Sequence, residues 1–163
     1  MEQQVNQERL MIESVPSNNL DLAMLIERLD HYLLELYVPE DINGVDFNDP
    51  KTKDMIFVVA YWDGVPVGCG GIRQLDANTA ELKRFFVESA IRRQGIAGKV
   101  LKYLEQCAVK LGCTVMKLET GAPQVESVAF YKKQGFYEIE PFGEYEESEA
   151  SLCMEKRIEA FPQ

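Results

Sequence analysis

The chain has 163 residues, 46% of them hydrophobic and 27% charged, with a formal net charge of −10. That length favours a single domain, 1–163, able to bury its own core, and the composition is that of a soluble globular protein. The acidic balance argues against a general nucleic-acid binder, and no apolar run is long enough to span a membrane.

Met1–Gln7 is polar and reads as loose chain, without the charged-then-apolar build of a signal peptide. RLMIESV, from Arg9, alternates as a first strand. In NNLDLAMLIERLDHYLLELY, Leu22, Leu25, Ile26, Leu29, Leu33 and Leu36 recur at helical spacing, with Asn18 as N-cap and Asp21 in the first turn. Val38–Asp54 is a loop rich in turn formers. MIFVVAYW, a DG turn and VPVGCGGIRQL form a hairpin, and TAELKRFFV adds a third strand to the meander. A helix runs from Gly95 to Leu111, with Ile96, Val100, Tyr103, Leu104, Cys107 and Leu111 on one face and Gly112 as its stop. TVMKLET is a strand, PQVESVAFYKKQ a short helix ended by Gly135, and FYEIEPF and ASLCMEKRI are the last strands. The order is α+β on a mixed sheet.

Four cysteines, Cys69, Cys107, Cys113 and Cys153, form no C-x-x-C pair, and the single histidine, His31, is far from most of them in sequence, so no metal site is expected. Cys69 has no evident base beside it and reads as a small buried strand residue, and Cys107 as core. The thiols read as reduced and the protein as cytoplasmic.

AIRRQGIAGKVL, from Ala90, places two arginines and a glycine at the start of a helix. A Walker A loop fails here because Val100 follows Gly98 and Lys99. GCGGIR misses the last glycine of a dinucleotide fingerprint and lies inside a hairpin strand. R-x-x-G-x-A is met by Arg92, Gly95 and Ala97. It follows a strand and opens a helix, which aims free first-turn N–H groups and the positive end of the helix dipole at one anion.

With AELKRFFVESAIRRQG before it and ESVAFYKKQGF after it, this stretch resembles the acyl-CoA-binding signature of the GCN5-related N-acetyltransferases, the GNAT superfamily. The resemblance runs from about Met55 to Ile158 and extends to a small bacterial subgroup of unassigned substrate. It implies a mixed, mostly antiparallel sheet with flanking helices and a splayed central strand pair. It implies acetyl-CoA as acyl donor. Main-chain groups of Phe86 and Val87 would meet the pantetheine, and the N–H of Val87 would be the donor to the thioester carbonyl. The N–H groups of Arg93, Gln94, Gly95, Ile96, Ala97 and Gly98 would hold the pyrophosphate, with charge from Arg92, Arg93 or Lys99. Two positions depart from the family. Ser89 stands where a proline is frequent, and Gln124 where an asparagine commonly touches the pantetheine arm.

The resemblance makes Tyr131 the acid for the leaving thiolate, and Glu81 the candidate base, with a solvated strand-end carboxylate as the alternative. His31 reads as a surface or packing residue. Tyr32, Tyr37, Glu40, Arg84 and Tyr145 are the candidate substrate contacts. The acidic balance favours a cationic acceptor, and Arg84 equally suits a substrate carboxylate. The expected partner is a small-molecule or amino-acid-like primary amine, with a homodimer left open. Acetylation of a protein lysine or N-terminus, and a non-catalytic acyl-CoA-sensing module, are the rival readings.

Overall fold

A computed structural model describes residues 9–36, 54–88, 95–121 and 123–159. Among the described residues, seven strands form one sheet: β1 (Leu10–Val15), β2 (Ile56–Trp62), β3 (Val65–Gln74), β4 (Thr79–Val87), β5 (Val115–Thr120), β6 (Tyr137–Ile139) and β7 (Leu152–Arg157). Their spatial order is β1-β2-β3-β4-β5-β7-β6. Three described helices pack on it: α1 (Leu20–Leu34), α2 (Ile96–Lys110) and α3 (Val125–Lys133). Each of these strand pairings is antiparallel except β4 with β5, which α2 connects. The expected mixed, mostly antiparallel α+β sheet is therefore present.

Asn19 caps α1, not Asn18: its Oδ1 accepts from the Leu22 amide at 2.9 Å. Asn18 lies in the turn that the Asn19 amide closes onto the Pro16 carbonyl at 3.0 Å, so the cap falls one residue later. Leu22, Leu25, Ile26 and Leu29 are buried against Phe57, Val59, Cys69 and Phe86 on one face of the sheet. The opposite face packs Val58, Leu82, Met116, Leu118 and Met154 against α2 and against Tyr131 and Phe136. On α2 the buried stripe is Ile96, Val100, Leu101, Leu104 and Ala108. Tyr103 and Leu111, expected on that face, are 36% and 42% exposed. The buried stripe is centred toward Leu101 and Ala108, which leaves Tyr103 at its edge, and Leu111 is the C-cap residue, past the last turn of α2. Glu105, buried on the same helix, accepts from Lys156 Nζ at 2.8 Å.

The hairpin between β2 and β3 turns at Asp63 and Gly64, both at positive φ (52° and 82°), as the mirror-image two-residue turn requires. The glycines of GCGG serve packing. A Cβ on Gly70 would sit 2.8 Å from Leu104 Cδ1 of α2, and one on Gly71 would sit 2.8 Å from the Phe57 ring on the other face. Gly71→Ala should destabilise the fold by about 1–3 kcal/mol, the range for overpacking a filled core, read from denaturant unfolding. β6 is shorter than FYEIEPF promised, because Pro141 soon follows it and has no amide to donate to a ladder.

Two irregularities in β4 shape the centre of the sheet. Its pairing with β3 steps from Gly71↔Lys83 to Cys69↔Phe86, an extra residue on β4 that makes a bulge at Arg84 and Phe85. Its ladder with β5 runs only from Thr79↔Val115 to Leu82↔Leu118. Beyond Leu82 the two central strands part. β4 stays with β3, and Thr120 of β5 stays paired with Leu152 of β7.

Candidate active site

The parting of β4 from β5 opens a cleft through the sheet. Leu29 and Leu33 of α1 line it on one side, together with Tyr145 from a 3-10 turn at Gly143–Tyr145. Gln124, Ser127 and Tyr131 line it from the α3 side. Its walls are Leu82, Lys83, Arg84 and Phe85 of β4 and Leu118, Glu119 and Thr120 of β5. Four residues singled out from sequence thus meet here: Arg84, Gln124, Tyr131 and Tyr145.

Tyr131 is 7% exposed, and its ring is fixed by Phe85, Phe130 and Phe136 at centroid distances of 6.1, 5.5 and 5.7 Å. Burial, and then the nearby charge of Glu119, push its phenol far above the ordinary tyrosine value. The group is therefore a neutral O–H at any working pH, the form that can donate.

Glu81 does not line the cleft, and it is not a solvated strand end: it is 1% exposed. Alternation along β4 puts Ala80 and Leu82 into the α2-side core, which leaves Glu81 and Lys83 on the other face. There Arg73 Nη2 donates to Glu81 Oε1 at 2.8 Å, and the Tyr145 hydroxyl donates to Glu81 Oε2 at 2.5 Å. Lys83 Nζ donates to the Tyr145 oxygen at 3.0 Å and to Glu144 at 3.3 Å. Burial, and then the Glu81 carboxylate, push the Tyr145 phenol well above its usual value. Burial works against Glu144 as an anion, but Lys83, Tyr145 and Arg73 together hold its carboxyl below the usual range. Tyr145 is thus the link between the cleft and a carboxylate buried behind it.

Arg84 sits in the bulge at φ +57°. Its side chain is 4% exposed and paired with Asp30 of α1. Cys69, on β3 beside it, is fully buried, and burial pushes its thiol up to about 12 in spite of the Arg84 charge, so it is no nucleophile. Tyr32 packs with the α1-side core, and His31 is exposed; neither lines the cleft. Phe86 and Val87 are buried where β4 pairs only with β3.

At the start of α2, Gly95 is the N-cap residue at φ +75°, with no side chain capping the first turn and no acidic residue in it. Among the described residues, a Cβ built on Gly95 would meet nothing within 4 Å. Lys99 is exposed beside the amides of Ile96, Ala97 and Gly98. These features fit a diphosphate, and the parted strands fit the extended arm of a coenzyme A. Arg92, Arg93 and Gln94, like Ser89, Tyr37, Glu40, the loop as far as Lys53 and Met1–Gln7, lie outside the described residues.

The model of the Acetyltransferase (GNAT) family matches residues 23–136. The chain belongs to the GNAT acetyltransferase family, and it is an acyltransferase. A relative from Azospirillum brasilense, named IAA acetyltransferase, is 38% identical over 138 residues, which cover 84% of this chain and 90% of that protein. A Klebsiella pneumoniae structure provisionally assigned as an acyl-CoA N-acyltransferase superposes with a TM-score of 0.80 at 26% identity, over 91% of this chain and 97% of that one. The PaiA N-acetyltransferase of Thermoplasma acidophilum, solved with coenzyme A, shares the fold at a TM-score of 0.67 and 19% identity, over 91% and 98% of the two chains.

Sequence reasoning missed Lys83, Glu119, Thr120 and Ser127 as cleft residues. Lys83 was within reach, because strand alternation puts it on the face of Glu81. The others depend on where β4 and β5 part, which a single strand does not announce.

Proposed function

We propose that this GNAT protein transfers the acetyl group of acetyl-CoA to the primary amine of a small molecule. The observation that carries this is the cleft between β4 and β5, which has the Tyr131 phenol on its α3 side and the Tyr145–Glu81 pair on its α1 side. The donor lies with its diphosphate on the amides that open α2 and its arm between the parted strands. The main-chain N–H of Val87 serves the thioester carbonyl, and Gln124 lies beside the arm. The acceptor enters from the α1 side.

The amine nitrogen attacks the thioester carbonyl carbon, the C–N bond forms and the C–S bond breaks. Tyr131 gives its proton to the departing sulfur. An alkyl amine has a pKa near 10 and arrives mostly protonated at neutral pH, so two protons leave the nitrogen on the way to the amide. Tyr145 takes the first, before attack, while passing its own hydroxyl proton to Glu81; the second leaves as the C–N bond forms and, through solvent, restores the proton that Tyr131 gives to the sulfur. Arg73 and Lys83 fix Tyr145 and Glu81 in place. The free thiols of Cys69, Cys113 and Cys153, all buried, support a reducing compartment, the cytoplasm.

The test is acetyl-CoA with a panel of primary amines, read as thiol release and as an acetylated product identified by mass. Thiol release that no amine accelerates would refute the reading. Within it, Glu81→Gln keeps the shape of the acceptor carboxyl and removes its charge. The rate at neutral pH should fall about tenfold, equivalent to ~1.4 kcal/mol of barrier. The defect should shrink as pH approaches the amine's own pKa, where free amine arrives without help. Tyr145→Phe, which breaks the same link, should give the same pH–rate pattern. A rise confined to KM would instead make Glu81 a binding charge.

A further inference from the structure

Two buried polar atoms belonging to residues of the cleft wall have no partner among the described residues: Arg84 Nε and Thr120 Oγ1. Buried donors are satisfied in nearly all proteins, by protein groups or by water, and an orphan in the wall of a cleft is placed to meet a bound ligand. Arg84 is the sharper case. Its side chain is 4% exposed, and its Nη2 is engaged by Asp30, whose own side chain is 47% exposed. The bulge holds it at φ +57°, a conformation that residues with a side chain rarely adopt and that concentrates at ligand sites. Asp30 fixes the guanidinium from the α1 side, the side on which the acceptor enters.

The charges around the cleft favour an anion at this point. Lys83 is a second cation in the wall, engaged by Glu144 and by Tyr145. Glu119, the acidic residue of the described lining, accepts from Ser151 Oγ at 2.8 Å. A chain of net charge −10 thus presents two buried cations to this cleft. A guanidinium N–H donates most strongly to a carboxylate, and the planar fork suits that group in particular.

We infer that the acceptor carries a carboxylate, received by Arg84 Nε–H, and is therefore a free amino acid or an amine built like one. Its amino group then lies toward Tyr145, and Thr120 Oγ1 offers a hydroxyl to the same cleft. This rests on the amine-acetylation reading above and narrows it to one chemical class.

The full-length protein is assayed with acetyl-CoA and L-amino acids, each beside its decarboxylated amine and its carboxamide. The best amino acid should exceed both partners in kcat/KM by tenfold or more. Arg84→Met should bring that ratio close to one. Arg84→Lys keeps a charge near Asp30 and loses the Nε–H, and should give an intermediate ratio through a raised KM. It also serves if the methionine variant does not fold, which its melting temperature reports. In parallel, binding is read without turnover as the rise in melting temperature of the CoA-saturated protein with N-acetyl-L-amino acids and with the matching N-acetyl-alkylamines. Equal rates within pairs, or a preference that survives at Arg84→Lys and Arg84→Met, overturns the inference. Stabilisation by N-acetyl-amino acids that requires Arg84, without any turnover, keeps the carboxylate site and removes the transfer reading. Neither turnover nor stabilisation by a carboxylate-bearing compound removes the site itself.

Discussion

Tyr131→Phe is expected to lower the rate of acetyl transfer by about 100-fold or more while acetyl-CoA binding stays close to that of the wild type. The substitution removes only the hydroxyl. The ring keeps its contacts with Phe85, Phe130 and Phe136, so the wall of the cleft stays in place. In the proposed mechanism, what is lost is the donor to the sulfur as its charge develops. Burial first, and Glu119 second, raise the phenol far above its ordinary value, so the protonated form persists through neutral and mildly alkaline pH. It follows that no alkaline limb from Tyr131 should appear in the wild-type pH–rate profile below about pH 10, the ordinary tyrosine value. The rate is best read in a single turnover, where slow product release does not mask the chemical step. An unchanged single-turnover rate would make Tyr131 a packing residue.

Gly95→Asp is expected to abolish the rise in melting temperature that acetyl-CoA gives the wild-type protein. A ligand that binds only the folded state stabilises it by mass action, so the rise reports binding directly. Gly95 holds φ +75°, which strains any side chain, so the proper control is Gly95→Asn. Asparagine and aspartate tolerate the left-handed conformation about equally and differ by one charge. Among the described residues, nothing stands within 4 Å of a Cβ at this position, so neither variant clashes with them. The carboxylate would itself be favoured at the helix start, where it competes with the diphosphate for the same amides and repels it. Asparagine should retain much of the stabilisation and aspartate almost none. Equal stabilisation of both would move the diphosphate away from α2.

The fold was legible wherever one element carried its own signal. The stop of α2 could be read because Gly112, at φ 94°, supplies the left-handed residue that commonly ends a helix, and its start because R-x-x-G-x-A follows a strand. The strands alternate, and the hairpin turn is written in Asp63 and Gly64. Of the cleft, Tyr131, Gln124, Arg84 and Tyr145 were legible in the sequence, the first two from the family pattern. Glu81 stood out as a base or a solvated carboxylate, and nothing in the sequence signalled its burial beneath Tyr145. That contact joins residues 64 positions apart, and local periodicity carries no information at that range. The bulge at Arg84 was equally hidden. It depends on how β4 registers against the glycines of β3, a property of the pair and not of either strand. The cap of α1 shifted by one residue because Asn18 and Asn19 are chemically identical candidates, and the turn after Pro16 decides between them.

In the proposed mechanism, donor and acceptor meet in the cleft between β4 and β5. A crystal structure of the protein with coenzyme A tests this most directly. The diphosphate should lie on the amides that open α2, the pantetheine arm should run between β4 and β5 past Gln124, and the thiol should lie within hydrogen-bonding distance of the Tyr131 hydroxyl. Coenzyme A bound elsewhere on the surface, or bound with its thiol directed away from Tyr131 and the cleft, would contradict the assignment.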